Sequence, residues 1–373
     1  MIEIREVKSK NDLKQFINFP YQLYKGNEYW IPSLKFDEFN TLWWDKNPAF
    51  EYCEARYWVA VKNNKIVGRI AGIINKKYIE IWKNKYIRFG WFDFIDDEEV
   101  SRVLLNTVEN WAKEEGLTGV HGPLGFTDLD REGMLIEGFN ELGTMATNYN
   151  YLYYLSHMEK YGYKKDADWI EYEVKVPLEI PEKVERISQI MLKKLKLKLL
   201  DAKKPKDILK YAKGIFELIN EAYENLYGVV PLTEKQIESY IKQYFGFISP
   251  DYVKVIVDEE DKVAAFLIGM PSLSRALQRS NGKLFPFGFI HLLRALKKPK
   301  YIDLCLIAVR PSLQGKGVNA LLMTEITKSS IKNLIISAET NPELETNSKV
   351  QSHWKLYDVR QHKRRRCFLK ILA

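Results

Sequence analysis

Two stretches of the chain alternate apolar and polar residues on either side of a short polar turn. Residues 57–74 read YWVAVKNNKIVGRIAGII, with Asn63-Asn64 at the centre. Residues 252–270 read YVKVIVDEEDKVAAFLIGM, with the turn near Glu259–Asp261. A period of two interrupted by turn formers predicts a β-hairpin in each place. Before the second hairpin, KDILKYAKGIFELINEAYENLYG (206–228) places Ile208, Tyr211, Ile215, Leu218, Ile219 and Ala222 on one helical face. TEKQIESYIKQYF (233–245) adds a helix with Thr233 as its N-cap. After each hairpin come a strand, a helix and a further strand. In the first half these are 86–96, 98–116 (closed by Gly116) and 119–125; in the second they are 301–311, about 318–331 and 333–340. The strand DWIEYEVKV (168–176) ends at Pro177, and LEIPEK opens a new amphipathic segment. The order repeats, so the pattern predicts a mixed α/β (α+β) chain of two similar units, residues 1–180 and 181–373.

Length agrees with two domains: 373 residues at about 150 per domain. Apolar residues make up 46% and charged residues 28%, which excludes collagen-like, coiled-coil and wholly disordered chains. No apolar run has the roughly 18 residues of a membrane span, and the N-terminus MIEIREVKSKNDL is charged where a signal peptide is apolar. A cytoplasmic protein with no transmembrane segment is expected. Cys53, Cys305 and Cys367 form no CxxC or Cys/His cluster, so no disulfide framework and no metal are expected. Residues 1–179 carry a net charge of −6 and residues 180–373 a net of +14. A basic half suits an anionic partner such as a phosphorylated cofactor, RNA or a lipid surface, or else is a solvated lysine-rich face.

The sharpest local signal is VRPSLQGKGVNALL (309–322). A β-branched strand stops at Pro311, a loop with Gly315 and Gly317 follows, and a helix begins. Such a junction aims free N–H groups and the positive end of the helix dipole at one spot, where a pyrophosphate fits. Neither GxGxxG nor GxxxxGK[ST] is present, so it is not a dinucleotide fingerprint or a Walker loop. The alternative is a glycine-rich strand-to-helix connection without a ligand.

With Gln314 and Gly317 in place, this segment resembles the acyl-CoA motif [RQ]xxGx[GA] of the GNAT N-acyltransferase family; Asn319 departs from its last small residue. The resemblance covers 190–373 with the loop, and 1–177 without it. It implies tandem GNAT folds, each a mixed, largely antiparallel twisted sheet flanked by helices, with an active C-terminal copy and a degenerate N-terminal one. In the first copy FDFIDDEEV replaces the loop, and its carboxylates would repel a pyrophosphate. By the same resemblance Ile307 and Val309 offer backbone groups to the pantetheine arm and thioester, and Gln314, Gly315, Lys316, Gly317, Val318 and Asn319 hold the pyrophosphate. Arg310, Lys316 and Lys349 are basic candidates for the outer phosphates, and Asn347 contacts the cofactor. The co-substrate is acetyl-CoA or a longer acyl-CoA, and the acceptor a small amine or amino-acid-like molecule.

Acyl transfer to an amine needs a base and an acid. Asp303, six residues before Val309, stands where several GNAT enzymes carry a Glu base; the alternative is a strand-end carboxylate paired with a lysine. Glu339 ends the next strand and is a second candidate. The family's Tyr acid is replaced by Trp354, leaving Tyr357 one turn on. Cys305 alternates with Asp303 and reads as a small buried residue rather than a nucleophile. The loop 121–150, running into a tyrosine-rich helix, resembles that of bacterial tandem GNAT-like proteins distantly akin to N-acyl amino acid synthases. Its polar candidates for an acceptor site are His121, Asp128, Asp130, Arg131, Glu137 and Tyr154; the alternative is a packing loop over a tyrosine core. KRRRCFLKIL (363–372) reads as a strand with solvent-facing basic residues rather than a nucleic-acid patch, and PFGFIHLLRALKKPK (286–300) as a lid or core helix rather than a membrane rest. Two other readings of the fold are aminoacyl transfer from charged tRNA and acyl-CoA binding without catalysis.

Overall fold

The computed structural model describes residues 1–372 other than 245 and 247; the side chains of Lys349 and Ser352 are outside the description. The predicted helix end at Phe245 and the predicted phosphate contact of Lys349 therefore fall outside the described residues. In chain order the elements are β1 (Glu3–Glu6), α1 (Lys10–Leu23), α2 (Lys35–Leu42), β2 (Cys53–Lys62), β3 (Lys65–Asn75), α3 (Lys76–Trp82), β4 (Tyr86–Phe94), α4 (Glu98–Glu114), β5 (Gly119–Gly122), β6 (Met134–Glu137), α5 (Tyr153–Lys160) and β7 (Lys164–Lys175). There follow α6 (Glu182–Lys194), β8 (Lys198–Leu199), α7 (Pro205–Leu209), α8 (Ala212–Tyr223), α9 (Glu234–Tyr244), β9 (Val253–Val257), β10 (Val263–Pro271), α10 (Ser274–Ser280), α11 (Gly288–Lys297), β11 (Tyr301–Val309), α12 (Val318–Lys332), β12 (Ser337–Thr340), β13 (Glu343–Leu344), α13 (Ser348–Gln351) and β14 (Val359–Ile371).

Local chemistry explains most of these. Asn63 and Asn64 both adopt positive φ, 51° and 58°, the geometry of the two-residue hairpin turn that joins β2 to β3. Asp97 caps α4 by accepting from the Glu99 N–H, and Gly116 ends it at φ 69°. Thr233 and Gln236 cap each other's backbone N–H groups at the head of α9. The predicted helix 206–228 is two helices, α7 and α8, because the chain turns at Lys210–Tyr211, where the Tyr211 hydroxyl donates to Asp261 in the hairpin turn. Of the tyrosines expected in the helix that follows the 121–150 loop (Tyr149, Tyr151, Tyr153 and Tyr154), Tyr153 and Tyr154 lie in α5, and Tyr149 and Tyr151 precede it.

The chain divides into two units. Unit 1 is Met1–Ile170 with Ser274–His291 and Lys363–Ala373; unit 2 is Glu171–Leu273 with Leu292–His362. Strand order in unit 1 is β1-β2-β3-β4-β5-β14, with β6 also on β14; in unit 2 it is β8-β9-β10-β11-β12-β7, with β13 also on β7. Both orders have three antiparallel pairs, one parallel pair (β4/β5, β11/β12) and a last antiparallel pair. The two units are thus copies of one mixed sheet. Each is finished by a strand from the other half of the sequence: β14, the last strand of the chain, pairs with β5, and β7, the last strand of the first half, pairs with β12. A cut at a single residue near 180 cannot separate units built this way.

In unit 1, α4 covers one sheet face through Val100, Leu104, Val108 and Trp111, packed on Trp58, Ile70 and Phe89. In unit 2, α12 packs Leu322 and Ile326 on Ile302, Leu304 and Val309, while α8 packs Ile215 and Leu218 on the opposite face with Phe266 and Ala308. The basic run at 363–366 is not solvent-facing as predicted. Lys363 and Arg365 are 1% exposed and donate to the Leu142 and Asn148 carbonyls, while Arg364 and Arg366 bind the buried Asp168. Among the described residues no helix is long and apolar enough to cross a membrane.

Candidate active site

β10 and β11 stay paired through Val309, but β11 and β12 part company early. Their parallel register runs only from Tyr301↔Ser337 to Leu304↔Thr340. At the parting point Asn341 donates its backbone N–H to the Leu304 carbonyl and its side-chain amide to the Cys305 carbonyl. Beyond it, one edge of β11 faces an opening. The Arg310 N–H bonds to the Ala264 carbonyl on β10, so Ala308 and Arg310 turn their backbone groups toward β10, and Ile307 and Val309 turn theirs away. The Ile307 carbonyl accepts from the Tyr223 hydroxyl at 2.9 Å, and the Val309 carbonyl from the Gln314 amide at 3.2 Å.

Cys305 is the extra residue of a bulge. Ile268 pairs with Leu306 but Gly269 with Leu304. A bulge shifts the alternation of side chains by one. Ile302 and Leu304 before it, and Ile307 and Val309 after it, therefore all face α12, while Leu306 and Ala308 face α8. Asp303 lies on the face away from α12, and Cys305, sitting in the bulge, does not continue its alternation as the sequence suggested. Burial raises the Cys305 thiol far above its usual range, with the Asp303 charge adding to the effect, so it is no thiolate nucleophile.

The loop after Val309 has the geometry an anion requires. Gly315 and Gly317 have φ of +74° and +79°, conformations that side-chain-bearing residues rarely adopt. A Cβ at Gly315 would meet nothing within 4 Å, and one at Gly317 only Met191 Cε at 3.8 Å, so the space outside the loop is open. Gly317 is the N-cap of the 15-residue α12 and supplies no side-chain bond to it. The first-turn N–H groups are not capped from within the helix, and the residues fit a pyrophosphate. Lys316 is exposed beside the loop. Asn319 points its amide at His353 Nε2, 2.9 Å away. Arg310 is engaged elsewhere: it donates to Asp258 at 2.9 Å and to the Val263 carbonyl at 2.8 Å, tying the strand end to the β9–β10 turn. Asn347 accepts from the Val350 N–H at the head of α13.

On the face of unit 2 away from α12, register lines up carboxylates across three strands. Asp303 pairs with Glu339, and Glu339 with Glu173. Neighbouring strands are about 4.8 Å apart. Asp303 is 6% exposed. Glu171, two residues from Glu173 on the same face, is fully buried. β14 adds His362, whose Nε2 lies 3.6 Å from Glu339 Oε1, and Arg360, which donates to Glu173 at 3.0 Å. Asp303 and Glu339 are thus brought together at the foot of the opening. Tyr357 is not brought to the loop. It packs beside Met323, Ile326 and Thr327, about 13 Å along α12 from Gly317, and burial raises its phenol. Trp354 is buried and donates to Glu343, whose carboxyl is pushed up to about 7 by burial against that bond.

Glu171, Glu173 and His362 went unselected in the sequence, although DWIEYEVKV and VRQHK each show the alternation that puts two polar residues on one face. What the alternation lacks is which strands adjoin. Of the residues expected at the acceptor site, all lie in unit 1. His121 and Tyr154 are wholly buried: His121 is 3.8 Å from Asp166, with its imidazole held down to about 4 by burial, and Tyr154 lies in an aromatic core, donating to or accepting from Tyr24. Asp130 accepts from the Phe126 and Thr127 N–H groups, and Arg131 donates to the Met145 carbonyl, so both hold the loop to itself. Asp128 is half-buried with its carboxyl raised to about 6 by burial, and Glu137 is exposed beside Arg364.

No family model matches the chain. It is 29% identical over 377 residues to Protein YghO of Escherichia coli (strain K12), covering 98% of this chain and 95% of that one. It is 26% identical over 304 residues to the bacterial ceramide synthase of Caulobacter vibrioides (strain NA1000 / CB15N), covering 79% and 77%. Among solved structures, a tandem GNAT protein from the clavulanic acid biosynthesis pathway matches with a TM-score of 0.58 at 10% identity, over 100% of this chain and 98% of its own. A GCN5-related N-acetyltransferase from Anabaena variabilis ATCC 29413 matches with a TM-score of 0.51 at 10% identity, over 100% and 73%.

Proposed function

We propose that this tandem GNAT fold is an acyl-CoA-dependent N-acyltransferase working in unit 2. The observation that carries the reading is the open edge of β11 leading into the Gly315–Gly317 loop at the head of α12. A pantetheine arm laid along Ile307 and Val309 meets backbone N–H and C=O groups, as a further strand would. The loop N–H groups and the helix dipole then hold the pyrophosphate. At the foot of the opening, the thioester carbonyl oxygen takes a backbone N–H of β11, which stabilises the oxyanion as it forms.

The amine attacks the thioester carbon directly. A C–N bond forms, the C–S bond breaks, and CoA leaves as its thiol. The incoming ammonium must first lose a proton, and we assign its acceptance to the Asp303–Glu339 pair with His362, a role supported by their register and by the 3.6 Å between His362 and Glu339. The nitrogen loses a second proton as the tetrahedral intermediate collapses to the amide; the sulfur takes one of the two through the same row, and the other goes to solvent. Tyr357 lies beside Ile302 and Leu304 on the α12 face of the sheet, whereas the row faces the other way, so we give the return of the proton to the row. A relative named as a ceramide synthase supports a fatty acyl donor and a long-chain amino acceptor, since ceramide is an amide of that kind. The reading is tested by isothermal titration of acetyl-CoA and palmitoyl-CoA, followed by thiol release with a panel of amines. Binding of one donor with amine-dependent thiol release supports it. Binding with no release for any amine leaves a sensor of acyl-CoA, and binding of neither donor removes the reading.

A further inference from the structure

We propose that residues 283–300 form a docking surface for an anionic lipid bilayer. Phe285 is 78% exposed, Phe287 69%, Phe289 39% and Leu293 49%: four large apolar side chains in nine residues. Phe285 and Phe289 lie tilted against each other, with ring centroids 6.1 Å apart. Phe289 and Leu293 are four apart on α11 and share a face, and Lys297 continues their row; Arg294 and Lys298 flank it. Leu292 is the large side chain of the helix that is buried, at 4% exposure, so the helix is anchored by one edge and shows the other to solvent.

The charge around this apolar tip selects the occupant. Between Asp261 and Asp303 the chain has no acidic residue and eight lysines and arginines. Lys283, Arg294, Lys297, Lys298 and Lys300 are all exposed. Exposed apolar rings in a segment whose charged residues are all cationic match the layered chemistry of a bilayer, in which hydrocarbon lies a few ångströms beneath a sheet of phosphates. A second copy of the same patch would bring like charges together, which disfavours self-association through it. The lysine stems lie along the apolar surface while their ammonium groups reach the headgroups.

The test is co-sedimentation of the full chain with vesicles of phosphatidylcholine containing one-third phosphatidylglycerol, beside vesicles of phosphatidylcholine alone. No acyl-CoA or amine is present, so the outcome is independent of the acyl-transfer reading. The parent should partition at least about tenfold more onto the anionic vesicles, and high salt should remove the difference. Phe285→Ser/Phe287→Ser and Lys297→Glu/Lys298→Glu should each lower the partition about tenfold. All four side chains are exposed, so the melting curves should be unchanged, and the Lys pair checks the result without touching apolar packing. Partition that is absent, or equal for parent and variants, overturns the proposal. So does a dimer in light scattering that Phe285→Ser/Phe287→Ser abolishes without any vesicle binding, since that assigns the patch to a second copy.

Discussion

Replacing Gly317 by aspartate and, separately, by asparagine isolates the effect of one charge at the head of α12. A Cβ there meets only Met191 Cε at 3.8 Å, so both side chains have room. Both must hold φ near +79°, which costs an L-residue roughly 1 kcal/mol and is borne best by Asn and Asp. That cost is common to the pair and cancels between them. The aspartate gains a few tenths of a kcal/mol from the helix dipole, so it should melt no lower than the asparagine variant. Binding should move the other way. A carboxylate about 5 Å from one pyrophosphate charge, at an effective dielectric of about 20, is repelled by roughly 3 kcal/mol, more than about 100-fold in Kd. Titration of acetyl-CoA and palmitoyl-CoA into the two variants reads this directly. Equal affinities for the aspartate and asparagine variants would refute the placement of the pyrophosphate on α12, whatever the parent binds.

Glu339→Gln should lower turnover by about 100-fold or more with little change in acyl-CoA affinity, because it removes a proton acceptor and not a phosphate contact; a rise in Kd to match would contradict that role. Arg310→Met should leave acyl-CoA affinity unchanged and lower stability by about 1 kcal/mol in urea unfolding, since its guanidinium is spent on Asp258 and Val263. At Asp168, burial is outweighed by the bonds from Arg366 and Lys165, which hold its carboxyl below the usual range. Its stabilisation is therefore present above the unfolded value of about 4 and lost as pH falls below it. Asp168→Asn should cost about 3 kcal/mol at neutral pH and flatten the acid limb of a stability–pH curve. Glu343 has the opposite sign: raised to about 7 by burial, it stabilises below the unfolded value of about 4 and withdraws that stability as pH rises to 7. Glu343→Gln should keep the Trp354 bond and remove the decline between pH 5 and 7 in the same measurement.

The parts of the fold legible in the sequence are those set by neighbours along the chain. Asn63-Asn64 forces its turn, Asp97 and Gly116 bound α4, and the apolar rows of α8 and α12 find a sheet face each. The glycine loop was legible because its chemistry is local, with Val309, Pro311, Gly315 and Gly317 fixing strand, stop and helix start within nine residues. The role of Arg310 was not. From the sequence it stands beside the loop, but the β9–β10 turn it grips is separated from it by some fifty residues of chain. The run 363–366 misled for the same reason. Alternating basic residues in an exposed strand and in a buried one look alike until a buried Asp168 and the carbonyls of Leu142 and Asn148 are found opposite.

The bulge and the exchanged strands decide where chemistry can sit, and neither is written in a period of two. Without the bulge, Asp303 would share a face with Ile307 and Val309 and be buried against α12. The one extra residue at Cys305 turns it to the other face, level with Glu339. Without the exchange, β12 would be an edge strand, with Glu339 at the margin of the sheet. The arrival of β7 covers that edge and extends the row with Glu173 and Glu171, while β14 supplies His362. A strand from residues 164–175 thus furnishes Glu171 and Glu173, two of the four carboxylates of the row. Both halves of the sequence contribute strands to the sheet of unit 2. Truncation at residue 180 should therefore yield a C-terminal fragment whose sheet ends at β12, with Glu339 exposed at an unpaired edge, and that fragment should bind acyl-CoA weakly or aggregate through the edge rather than turn over.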